Sequence, residues 1–255
     1  MPESAPESTG IVAETTAQEA GETPAAGLGS STSVFDDPEY REAVVDLLGA
    51  IAYGELSAFE RLAEDARLAP SLEDKVEVVA MAAIEFGHLR TLQGRLSELG
   101  VDPYAAMAPF RRALDDFHAN TSPADWWEGL VKAYVGDGLA ADFYTEIAAY
   151  LDADTRDVIV ESLADAGHSE FVVDRVRAAI EADHRLGGRL ALWGRRLMGE
   201  ALTQGQRVAA ERDALSALLA GGVDRPGLDL AAIGRMFARL TERHTERMTR
   251  LGLDA

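Results

Sequence analysis

The run Val78 to Leu92, VVAMAAIEFGHLRTL, sets a carboxylate and an imidazole in the middle of an apolar helix. Val78, Met81, Glu85, His88 and Leu92 follow the 3.6-residue period, so Glu85 and His88 share the face that should enter a core. An isolated carboxylate taken out of water costs several kcal/mol unless something pairs with it. Glu85 and His88 stand one helical turn apart, and a Glu-x-x-His pair projecting into a helical bundle is half of a carboxylate-bridged dinuclear metal site. The rest of the chain is expected to supply the other half.

Most of the chain reads as helix, with no strand-turn-strand pattern, so the expected class is all-α. Residues 1–35 are rich in Ala, Ser, Thr, Gly, Pro and Glu, with five Glu and no Lys or Arg, and are expected to form a disordered acidic tail. Helix A is expected over Pro38 to Arg67, stopped by Ala69-Pro70. Helix B follows a Ser71 cap with acids in its first turn and closes at Gly100. Asp102-Pro103 opens a connecting segment with a shorter helix to His118, a crossover between helices two and three of a four-helix bundle. Ser122-Pro123 reads as the start of helix C, to Leu151, and Asp154 to Glu181 as one helix D. Two further helices are expected, His184 to Ala220 (with Gly187-Gly188 or Gly205 as bend points) and Leu228 to Gly252, separated by the Gly221–Pro226 loop. The expected division is therefore a tail over 1–35, a four-helix bundle over 36–183 and a C-terminal helical extension over 184–255 packed on the bundle.

Spacing alone does not select the ligands, because four of the five histidines have an acid three residues earlier. Context does. Glu181-His184 lies in a densely charged helix end and Asp115-His118 ends a short helix, whereas Glu85-His88 and Asp165-His168 lie among small and apolar residues. Depth supplies a second test. Glu55 and Glu85 each lie about 15 residues from the A–B turn, or roughly 22 Å at the helical rise, while Glu60 is nearer by more than a turn. Asp137 likewise matches Asp165 and His168 across the C–D turn better than Asp142 does. Four buried acids at one depth would repel one another without cations. Glu55, Glu85, His88, Asp137, Asp165 and His168 thus form a candidate set of six ligands. Singly, each has an ordinary alternative as a core histidine or a salt-bridge partner. Tyr53, Tyr134 and Tyr144 read either as redox or ligand-supporting groups or as packing residues.

The net charge is −20, which argues against general nucleic-acid binding. It is unevenly spread: from Arg185 to Ala255 twelve Arg face eight acids, and that third alone is net basic. The chain has no cysteine, which excludes thiolate zinc sites, iron–sulfur clusters and disulfides and fits a reducing cytoplasm. The N-terminus lacks a basic segment followed by an apolar one, and no run of ~20 apolar residues occurs, so a cytoplasmic protein without a membrane span is expected.

Ala-Tyr-Gly-Glu55, Glu85-Phe-Gly-His88 and Asp165-Ala-Gly-His168 resemble the actinobacterial, MiaE-like tRNA hydroxylase branch of the ferritin-like di-iron superfamily, over roughly Asp36 to Leu219. The resemblance implies a non-haem di-iron centre that uses dioxygen to hydroxylate the prenyl chain of a modified adenosine next to the anticodon. It also implies that the six residues named above are the iron ligands. Asp stands at 137 and 165 where the wider superfamily usually has Glu, one methylene longer. The expected cofactor is two iron ions, with manganese also suited to such a mixed N/O set. The expected partners are dioxygen, an external electron donor and, through Arg189, Arg195, Arg196 and Arg207, a tRNA backbone. The competing role for those arginines is pairing with acids of the bundle or at a homodimer contact. A ferroxidase or peroxidase, and a non-catalytic partner protein that keeps the shell, are the alternative functions.

Overall fold

The computed structural model describes residues 34–163, 168–220 and 230–255, and all regular structure among them is helical. The tail up to residue 33, Asp165 and the Gly221–Pro226 loop lie outside the described residues. Helices α1 (Pro38–Asp65) and α2 (Leu72–Glu98) form an antiparallel hairpin; Arg41 near the start of α1 donates to Leu99 O just past the end of α2. The Ser71 cap holds, its Oγ accepting from Asp74 N. Gly100 ends α2 with φ of 71°, a conformation that glycine adopts without steric cost.

The crossover is two short helices, α3 (Pro103–Met107) and α4 (Arg111–Asn120), joined by the tight turn Ala108–Phe110. It lies close against α1: a Cβ added at Gly49 would meet Ala106 O at 2.3 Å. Helix α5 (Trp126–Ala148) begins later than Ser122-Pro123 suggests. Asp125 is the cap instead. Its carboxylate accepts from Glu128 N at 3.0 Å while Glu128 reaches back to Ala124 N at 2.8 Å, a reciprocal arrangement that outcompetes a proline start.

The expected single helix D is two helices, α6 (Ala153–Ser162) and α7 (His168–Ala182). At the break, Ser162 Oγ donates to Ile159 O, a local bond that competes with the helical ladder. Helix α8 (His184–Glu211) runs through Gly187, Gly188 and Gly205 without interruption. The chain instead leaves the helix at Arg212 (φ −127°, ψ 89°), whose guanidinium pairs with the buried Asp46 of α1, and continues as α9 (Asp213–Ala220). Helix α10 (Leu230–Arg250) completes the described chain.

Two apolar clusters fill the bundle. One joins the first half of α1, through Ala52, to Leu89, Leu92 and Leu96 of α2, with Ile147, Ile159, Leu215 and Leu218. The other joins Leu62 of α1 to Val78 and Ala82 of α2, with Leu130 to Leu139 of α5, Val172, Val176, Leu190 and Met248. Each large aliphatic side chain fully buried there stabilises by roughly 1.5–3 kcal/mol. Between the clusters, α1 carries Glu55 and α2 carries Glu85 and His88, so the polar residues occupy a gap between two apolar plugs.

The C-terminal arginines clasp the acidic body. Arg189 donates to Asp125 at 2.6 Å and Glu128 at 2.5 Å, Arg207 to Asp116 at 2.7 Å, Arg239 to Glu146 at 2.6 Å and Arg247 to Asp142 at 2.6 Å. Arg196 donates to Asn120 O and Arg195 to Asp254 O. Apart from Arg247–Asp142, which is largely buried, these pairs are solvent-exposed and individually contribute little, so the shared apolar clusters carry most of the attachment. None of the helices among the described residues is long and apolar enough to cross a membrane.

Candidate metal centre

The charge that the α2 sequence commits to the core meets a partner from α1. Glu55 is buried, with 7% of its surface exposed, and its Oε2 lies 3.5 Å from His88 Nδ1. Glu85 Oε2 lies 3.7 Å from the same nitrogen. One ligand atom from each of the three residues can be chosen so that all lie within 4.8 Å of one another. Glu60, the shallower alternative on α1, is exposed.

Electrostatics are strained in this arrangement. Burial, then the neighbouring Glu85 charge, pushes the Glu55 carboxyl up to about 9, against the pull of His88. Burial also opposes ionisation of Glu85, but the neighbouring His88 and Glu55 and the charge of His168 bring it below the usual carboxylate range. The two carboxylates beside its ring, Glu55 first and then Glu85, lift His88 to about 10. Glu55 is thus held neutral beside one carboxylate–imidazolium pair, and its Oε2 has no hydrogen-bond partner. A buried acceptor left unsatisfied costs ~1–3 kcal/mol. A divalent cation is the simplest group that would satisfy both carboxylates and use the imidazole as a neutral ligand, and carboxylate plus imidazole donors suit iron, manganese or zinc. The residues present therefore fit a metal.

The second half of the expected set is less closely gathered. Asp137 of α5 and His168, the first residue of α7, line the same cavity as the Glu55 cluster. His168 Nδ1 lies 3.8 Å from Glu77 Oε2 of α2. Neither residue joins the tight three-residue group among the described residues. Asp142, the shallower alternative on α5, is bound to Arg247 and Arg243.

The cavity has a volume of about 170 Å³. An apolar cavity of roughly 150 Å³ admits a benzene-sized molecule, so a small organic group fits beside the cluster. Tyr144 of α5 lines it near Glu55 and Gly54, and burial, then the Glu55 charge, pushes its phenol up so that it keeps its proton. Sequence reasoning missed Glu77, which stands two turns before Glu85 on the same face of α2. It also missed Lys132, although that residue interrupts the apolar run Leu130-Val131-Lys132-Ala133-Tyr134 just as Glu85 interrupts its own.

Comparison with known proteins agrees with this architecture. No curated protein matches the sequence significantly. Among solved structures, a Synechococcus protein described as "Protein 19 with aldehyde deformylating oxidase activity" superposes with a TM-score of 0.65 at 21% identity, over 87% of this chain and 94% of that one. At that identity the likeness is one of fold. Residues 38–222 match the family described as "Ferritin-like domain, actinomycetes", and the chain belongs to that family.

Proposed function

We propose that this chain is an oxygen-dependent, di-iron oxidoreductase of the hydroxylase type, with manganese as the alternative metal. The observation that carries the reading is the buried Glu55 carboxylate, which has an unpartnered oxygen and lies against Glu85 and His88. The aldehyde deformylating oxidase activity in the name of the structural relative supports it. In this reading Glu55, Glu85 and His88 hold one side of the metal pair, and Asp137, Asp165 and His168 hold the other. When bound, the pair supplies reductive activation of dioxygen, with electrons from an external donor, and oxidation of a substrate C–H bond. The protein fixes the donors and keeps the pocket dry.

The chain's own residues have definable tasks. Leu62, Met81 and Val172 wall the cavity with apolar surface and exclude water from one side. Tyr144 holds a proton near Glu55 and can donate it as a hydrogen bond into the cavity. Glu77, half exposed, faces His168 across 3.8 Å. We assign residues 36–183 as the metal-holding body and 184–255 as an extension that clasps it. The tRNA substrate implied by the sequence resemblance gains no support from the arginines assigned to it, because Arg189, Arg195, Arg196 and Arg207 all have intramolecular partners.

The test is anaerobic reduction of the iron-loaded protein followed by exposure to dioxygen, read by stopped-flow absorbance. The proposal expects transient absorption that depends on both oxygen and iron and is lost in Glu55→Ala. Iron-loaded protein that stays inert to dioxygen after reduction would contradict it.

A further inference from the structure

The cavity has a second polar end. Beyond Glu55, α1 brings Arg61 and Asp65 to the cavity, about 9 and 15 Å farther along the helix axis. From α5, Lys132 lines the same end, and an added Cβ at Gly129, one turn earlier, would stand 3.4 Å from Asp65 Oδ2. Lys132 is 6% exposed. Its ammonium donates to Thr121 O at 2.8 Å and lies 5.7 Å from the centre of the Phe117 ring.

Capping the Thr121 carbonyl does not explain a lysine there. One N–H suffices for that bond, and two N–H groups remain without a protein acceptor among the described residues. A desolvated ammonium needs a counter-charge. Asp65, the nearest acid at this end, makes no ion pair with it within 4.0 Å, and Arg61 is committed to Glu64 at 2.8 Å. Burial pulls Lys132 down to about 8 and pushes Asp65 up, the mark of a charge pair held too far apart in a dry pocket. His118 adds no positive charge: Ser57 Oγ donates to Gly54 O, so the imidazole donates Nε2–H to that oxygen, and burial, then Lys132 and Arg61, hold the ring down to about 3.

We propose that the Lys132 end of the cavity binds the carboxylate of a small organic acid, with the rest of the molecule lying along α1 toward Glu55, Glu85 and His88. The carboxylate accepts the two spare N–H groups of Lys132. Asp65 accommodates the added negative charge by taking up a proton, which its burial already favours. Arg61 marks the outer edge of the site. The assignment of this acid as the substrate rests on the metal reading for its reactive end; the binding site itself does not.

The experiment titrates the full chain with octanoate, octanamide and octylamine by calorimetry, with metal content measured on the same samples. Octanoate should bind at least about tenfold more tightly than octanamide, and octylamine more weakly still, because the ammonium supplies a charge-assisted bond. Lys132→Met should abolish the preference for the acid, and Lys132→Arg should retain it, both with unchanged metal content. Equal affinity for acid and amide in the unsubstituted protein would overturn the proposal without needing any variant to fold. Retention of the preference in folded Lys132→Met would also overturn it, by locating the carboxylate elsewhere, at the metal ligands above all. Acid preference that depends on Lys132 in a protein without metal would support the site and refute the di-iron reading.

Discussion

Glu55 of α1 and His88 of α2 face each other across the hairpin, with Oε2 and Nδ1 3.5 Å apart. Neither helix could afford its polar residue alone; the two meet in the gap between the apolar clusters.

This relationship predicts opposite effects of one substitution in two states. Glu55→Gln removes a buried acid that burial already pushes toward the neutral form. In chelator-treated protein near neutral pH it should therefore be neutral or stabilising. In metal-loaded protein it should lower the melting temperature, since a ligand is lost. Thermal unfolding with and without chelator reads both signs, and a large loss of stability in the metal-free state would refute the charge-strain argument.

Asp137 and Asp142 separate metal binding from clasping. Asp142→Ala leaves Arg247, 12% exposed, without its carboxylate and should cost ~1–3 kcal/mol with metal content unchanged. Asp137→Ala should do the reverse, lowering metal content with a smaller effect on the metal-free fold. Chemical denaturation paired with metal analysis distinguishes them; equal metal loss in both would show that the α5 register has been misassigned.

Much of this was legible in the sequence because burial punishes charge. Glu55, Glu85 and His88 stand out from their apolar neighbours, and depth along the hairpin separates Glu55 from Glu60. The caps at Ser71 and Asp102 and the stop at Gly100 are local and could be read locally. What could not be read depends on partners far along the chain. The kink at Arg212 depends on Asp46, which is distant in sequence, whereas glycines were the only local break signal. At the start of α5, Ser122-Pro123 competes with Asp125–Glu128, and the latter prevails because its two carboxylates satisfy Glu128 N and Ala124 N. The arginine-rich helices read as a tRNA-docking surface or as partners for acids of the bundle or of a homodimer contact, and only tertiary placement joins them to Asp116, Glu128, Asp142 and Glu146.

His118 gives a pH dependence of known sign. Burial, then Lys132 and Arg61, holds its imidazole down to about 3, against 6.5 when exposed. Between those values the unfolded chain binds a proton that the folded chain refuses, so this residue makes stability fall as pH drops from 6.5. The slope is at most ~1.4 kcal/mol per pH unit. Urea denaturation at a series of pH values should show a shallower acid loss in His118→Gln than in the unsubstituted protein. Parallel curves would contradict the account.

Gly49 tests the seating of the crossover. A Cβ there would stand 2.3 Å from Ala106 O, so backbone must move. Gly49→Ala should destabilise by ~1–3 kcal/mol in spite of its better helix propensity, measured by denaturant midpoint. A stabilised variant would show that the crossover does not lie against α1.

The central claim is that the gap between the two apolar clusters holds a metal pair, and elemental analysis of protein purified from iron-replete cells tests it most directly. The account predicts close to two metal ions per chain, mostly iron, and loss of most of them in the His88→Ala, His168→Ala double variant. A metal-free protein, or full occupancy in that double variant, would contradict it.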